Sequence, residues 1–146
     1  MAERRWLLLA YKVPRKSSAS RVYVWRKLKR LGAIPLQDAV WVLPDTPRCI
    51  EQFRWLAAEI AELKGEATLW AGNLTIKSQE TSFVRRFETE TDDRYQGILS
   101  SLRGKDADLA GLSRQFQEAQ AQDFFRSKLG RTVRQALLKA KNGSKR

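Results

Sequence analysis

The sequence predicts an α+β fold: a ferredoxin-like β-α-β-β-α-β module over residues 1–76, followed by a C-terminal helical extension over residues 77–146. Three observations carry this prediction. In the first half, short apolar runs alternate with two stretches of helical period, in the order strand, helix, strand, strand, helix, strand. Each helical stretch closes on a glycine, Gly32 and Gly65, the residue most often found just past a helix end. From Ser78 onward the apolar positions thin out and Gln, Asp, Glu and Arg dominate, as in helices that bury a narrow stripe.

The first strand spans Trp6 to Val13, a near-continuous apolar run of the kind found where both sheet faces are covered. Pro14 ends it, and the serines that follow offer helix caps. From about Ser20 to Leu31, Val24, Trp25, Leu28 and Leu31 fall in one arc, with Arg26, Lys27, Lys29 and Arg30 filling the rest. Ala33–Leu36 and Ala39–Leu43 are short strand candidates, either joined by Gln37-Asp38 as a tight turn or forming one longer strand that bends at Pro35. Thr46 then caps a helix that has Pro47 in its first turn and a stripe of Ile50, Phe53, Leu56, Ala57, Ile60 and Leu63. Glu66 to Trp70 is the last strand candidate, with Ile76 as its furthest reach. In the extension, two helices form a hairpin, Phe124-Phe125 is an anchor, and a basic helix from Arg131 to about Lys141 runs into a frayed "NGSKR".

Composition narrows the function. The chain has 28 Lys and Arg against 16 Asp and Glu, a net charge of +12. Such an excess calls for an anionic partner. The charge is also unevenly placed. Residues 1–31 hold ten basic side chains against Glu3 alone, residues 32–76 are mildly acidic, and Arg126 to Arg146 holds eight basic residues and no acid. No apolar run is long enough to span a bilayer, and the one in "MAERRWLLLA" is too short for a signal segment, which suits a cytoplasmic protein. There is one cysteine and no histidine, which removes disulfides within the chain and His-based catalysis.

Two basic groups are the candidate nucleic-acid contacts. Arg15, Lys16, Arg26, Lys27, Lys29 and Arg30 lie before and along the first helix, and Arg131 and Arg134 lie on the last. The five tryptophans, Trp6, Trp25, Trp41, Trp55 and Trp70, each fall in a strand or on a helix stripe and are expected in the core. Cys49 sits in the first turn of the second helix beside Arg48, where the helix end and the cation both favour a thiolate, but the plainer reading is a small residue packed in the helix. The carboxylates do not converge, so neither a metal site nor a cofactor site is expected, and the chain reads as a binding protein rather than an enzyme.

The stretches "SRVYVWRKLKRLGA", "DAVWVLP", "FRWLAAEI" and "DFFRSKLGR" resemble the N-terminal domain of the ChrB chromate-resistance family. The resemblance covers most of the chain. It implies a regulator that controls a chromate efflux transporter, with DNA at the promoter of a chromate-resistance operon as partner. It also implies a further C-terminal domain in full-length members. More distantly, "LKRLGAIPLQDAVWVLP" is similar to PaaX-type repressors and to small CRISPR adaptation nucleases, which share the ferredoxin-like module; that module commonly pairs into homodimers, so this distant similarity implies a homodimer. The nucleases end their first strand with a metal-binding aspartate. The matching residue here is Lys12, which does not carry metal-dependent cleavage over. Chromate is then a second candidate ligand, a dianion that Lys12, Arg15 and Arg21 would hold at the start of the first helix. A thiol-dependent reaction at Cys49 or a divergent nuclease is the remaining alternative.

Overall fold

In the computed structural model, which describes residues 4–144, the N-terminal sheet is organised around β1 (Trp6–Lys12). β1 pairs antiparallel with β3 (Val40–Pro44) on one side and β4 (Glu66–Gly72) on the other. β2 (Ile34–Gln37) pairs with the outer side of β3, giving the strand order β2-β3-β1-β4. With α1 (Ser18–Leu31) and α2 (Pro47–Glu62) inserted between strands, this is the ferredoxin-like order expected from the sequence. Pro35 is tolerated because β2 is an edge strand, and the ladder shifts register between Pro35 and Gln37. The turn falls on Asp38-Ala39, one residue later than the apolar pattern suggested.

Register explains the unbroken apolar run of β1. Leu7 and Leu9 share a face with Leu43 and Trp41 of β3 and with Ala71 and Leu69 of β4. Ile50, Arg54 and Ala57 of α2 line a cleft together with Leu7, Leu69 and Ala71, so this face meets α2. The opposite face carries Trp6, Val42 and Ile34, which are also buried.

Both helices start on side-chain caps. Ser17 Oγ accepts the Ser20 N–H at 3.1 Å, beginning α1 two residues ahead of Ser20, and Thr46 Oγ1 accepts the Cys49 N–H at 3.1 Å. Gly32 closes α1 in the left-handed conformation, φ 83°. The end of α2 differs from the expected glycine stop. There Lys64 adopts the left-handed conformation, φ 67°, and Gly65 has another task. A Cβ on Gly65 would collide with the Lys12 carbonyl oxygen and lie 2.9 Å from Ile60 Cγ2, so this glycine lets the chain cross close to the end of β1.

The tryptophans correct the sequence reading. Trp6 and Trp41 are buried, but Trp25, Trp55 and Trp70 are 51%, 69% and 62% exposed. The core stripe of α1 is narrower than expected: Val24 and Leu28 are fully buried, and Trp25 lies one residue outside that arc.

The chain divides into two units, Met1–Thr81 and Ser82–Arg146. The division falls inside α3 (Lys77–Leu102). In the second unit Tyr95 and Ile98 of α3, Leu112, Phe116 and Ala119 of α4 (Leu109–Ala121), and Val133 and Leu137 of α5 (Lys128–Ser144) form a core of their own. The Tyr95 hydroxyl donates to Asp123 Oδ2 at 2.9 Å, and the Ser127 N–H donates to Asp123 Oδ1 at 2.9 Å, fixing the loop that leads into α5. Phe124 meets Phe87 edge-on at 5.7 Å, the anchor expected from the Phe124-Phe125 pair. α5 is longer than expected at both ends and stays helical through Ser144; Lys145 and Arg146 of the expected frayed tail lie outside the described residues.

Lys64→Gly removes the left-handed penalty and is expected to stabilise the protein by about 0.5–1 kcal/mol. Gly65→Ala is expected to destabilise it by about 1–3 kcal/mol, because the new methyl meets backbone that cannot move freely. Urea denaturation of the two variants reads both signs.

Candidate nucleic-acid interface

The outward surface of α1 follows from the position of its buried arc. With Val24 and Leu28 inward, the 3.6-residue period leaves Trp25, Lys29, Val22, Arg26, Arg30 and Tyr23 around the outside. Arg26 and Arg30 are exposed, while Lys27 and Lys29 are half-buried. Two cations rest against rings one turn away: Lys27 Nζ lies 5.6 Å from the Tyr23 ring centre and Lys29 Nζ 5.9 Å from that of Trp25. The sequence reading expected an almost wholly basic face; the structure gives a mixed one, in which basic and aromatic side chains alternate. The wheel already held the signal, since Trp25 sits about 100° from Val24 and four residues before Lys29.

No acid occurs anywhere in α1, and Lys29 and Arg30 occupy its last turn, where the negative end of the helix dipole favours them. The Tyr23 hydroxyl donates to Glu59 Oε2 of α2, and this hydrogen bond raises the phenol pKa. Tyr23 thereby ties the face of α1 to its neighbouring helix. Arg15 and Lys16 stand exposed in the turn before Ser17.

The candidate oxyanion residues separate. Lys12 and Arg21 line one cleft of about 490 Å³ at the carboxyl end of β1, together with Tyr11, Val13, Val22, Trp25, Asp38 and Ala39. Arg15 is not among its lining residues. Burial raises the Tyr11 phenol pKa, with the Trp41 indole working against it and the Asp38 carboxylate adding to it, so Tyr11 presents a neutral ring.

In the second unit, Arg131 and Arg134 are exposed on α5, a helix with no acid in its first turn and Lys141 in its last. Leu138, one turn past Arg134, is exposed among them.

Among the described residues, no group of three or more His, Cys, Asp or Glu side chains is placed to hold a metal ion. No helix among them is long and apolar enough to cross a membrane. Cys49 is buried, and burial raises its thiol pKa, outweighing the Thr46 hydrogen bond and the Arg48 charge that lower it. This burial agrees with the reading of Cys49 as a small residue packed in the helix. The expected behaviour is a masked thiol: native protein reacts with a disulfide reagent many times more slowly than urea-unfolded protein, measured by thiolate release. The sign for stability follows. Because the folded thiol titrates above its usual value near 9, its contribution is complete below that pH and is lost as pH rises beyond it.

Residues 21–111 match the family described as Protein ChrB, N-terminal, a stretch that runs from the first turns of α1 to the start of α4. Protein ChrB of Cupriavidus metallidurans is 31% identical over 115 residues, which make up 77% of this chain and 36% of that protein. The chain therefore corresponds to well under half the length of this curated relative. No solved structure matches. A family match across most of the N-terminal fold and into the helical extension, with a long aligned relative beside it, establishes that the chain belongs to the ChrB N-terminal domain family.

Proposed function

We propose that the chain is the DNA-binding module of a chromate-resistance regulator, a cytoplasmic protein that acts on the promoter of a chromate efflux operon. The observation that supports this reading is the outward face of α1, where Arg26, Lys27, Lys29 and Arg30 sit without a single acid in the helix. Arg15 and Lys16 extend the charge into the preceding turn, and Arg131 and Arg134 supply a second basic helix. Arginines fork onto phosphate oxygens and lysines act as point charges, so these side chains position a duplex. The reading assigns no base readout and no catalysis. Lys12 stands where the distant nucleases place a metal-binding aspartate, and the Cys49 thiol is buried. The acting form is taken to be a homodimer, which sedimentation equilibrium tests directly.

Direct chromate binding is the second reading, favoured by Lys12 and Arg21 sharing one cleft. It is the weaker of the two because the same cleft has Val22 and Trp25 among its lining residues and omits Arg15.

Fluorescence anisotropy with the operon promoter duplex, at about 50 and about 200 mM salt, separates these readings. Neutralising about four phosphates predicts a loss of roughly 100-fold in affinity across that range. The double change Arg26→Glu and Arg30→Glu is expected to weaken binding by roughly tenfold or more and to lower the salt slope by about two. Absence of binding to any duplex at the lower salt would remove the proposal.

A further inference from the structure

The cleft at the end of β1 has a chemistry that phosphate contacts along α1 do not use. Its lining includes the rings of Tyr11 and Trp25 and the side chain of Val22. Val22 and Trp25 remain 46% and 51% exposed on a helix whose core positions are already filled. Lys12, Arg21 and Asp38 also line the cleft, and two cations against one carboxylate leave a single net positive charge. Among the described residues, neither Lys12 nor Arg21 has a carboxylate within ion-pair distance.

Size and lining argue together. A volume of about 490 Å³ falls within the range of small-molecule sites and far exceeds a tetrahedral oxyanion. A hydrated dianion gains nothing from valine and tryptophan side chains, and one net charge does not offset the loss of its water. A molecule with an apolar body and one anionic group uses both features: the body leaves water against Val22 and Trp25, and the head group takes the Arg21 fork.

We propose that this cleft binds small amphipathic monoanions, an aromatic or aliphatic body bearing one carboxylate or sulfonate, with Val22 and Trp25 holding the body and Arg21 and Lys12 the head group. This inference is independent of DNA binding.

Titration calorimetry of the full chain with 1-naphthalenesulfonate tests it without nucleic acid present. The expected result is saturable binding with Kd on the order of 1 mM or tighter. Sulfate, chromate and the neutral 2-naphthol are each expected to bind at least about tenfold more weakly, since each supplies only half of the match. Trp25→Ala and Arg21→Glu are each expected to weaken the sulfonate at least about fivefold with thermal melts unchanged, both side chains lying at the surface. Arg85→Glu, which makes the same charge change on α3, is expected to leave binding as it was. Absence of saturable binding, chromate or sulfate binding as tightly as the sulfonate, or undiminished binding to Trp25→Ala would each overturn the proposal.

Discussion

The N-terminal unit depends on one constraint: β1 is hydrogen-bonded along both edges. From Trp6 to Ala10 it pairs with β3, and from Trp6 to Lys12 with β4. A strand held on both sides has a fixed end, and that end places the other features. The Lys12 carbonyl leaves so little room that residue 65 must be glycine. Tyr11 and Lys12 open directly into the cleft formed with the start of α1 and the β2–β3 turn. The end of β1 thus becomes a corner where strand, turn and helix meet, with the Lys12 cation on its rim.

A second constraint acts on α1. Only the arc around Val24 and Leu28 is needed to cover the sheet, so most of the helix perimeter is free to take a functional composition. That perimeter contains no acid. Positive charge of one sign along a helix costs some stability through self-repulsion, and here Tyr23 and Trp25 soften it by placing aromatic faces beside Lys27 and Lys29. The same rings make the surface less purely electrostatic than its charge suggests. The exposed indole of Trp25 also lines the neighbouring cleft.

The second unit holds itself together by its own means. Its core joins three helices, and the Tyr95–Asp123–Ser127 hydrogen bonds order the turn into α5. Burial together with Asp123 raises the Tyr95 phenol pKa far above its usual value, so it stays protonated and donates to Asp123. Because α5 is packed through Val133 and Leu137, Arg131 and Arg134 are presented on a stable helix.

Local chemistry alone determined much of this protein. The order of strands and helices followed from apolar period, the start of α2 from Thr46, and the end of α1 from Gly32, because caps and periodicity act over a few residues; among the run of serines before α1, the structure selects Ser17 as the cap. The basic character of α1 was equally legible. Only the tertiary structure decided which large side chains were covered. Trp25, Trp55 and Trp70 satisfy a strand or helix pattern as well as Trp6 and Trp41 do, yet burial depends on what packs opposite, which no local window contains. The same holds for Lys64 taking the left-handed position beside a glycine, since a close approach to β1 requires Gly65 for another reason. The burial that masks the Cys49 thiol rests on the same ground. Finally, Lys12, Arg21 and Asp38 come together from three separate elements, and only the pairing of β1 with its neighbours makes them one site.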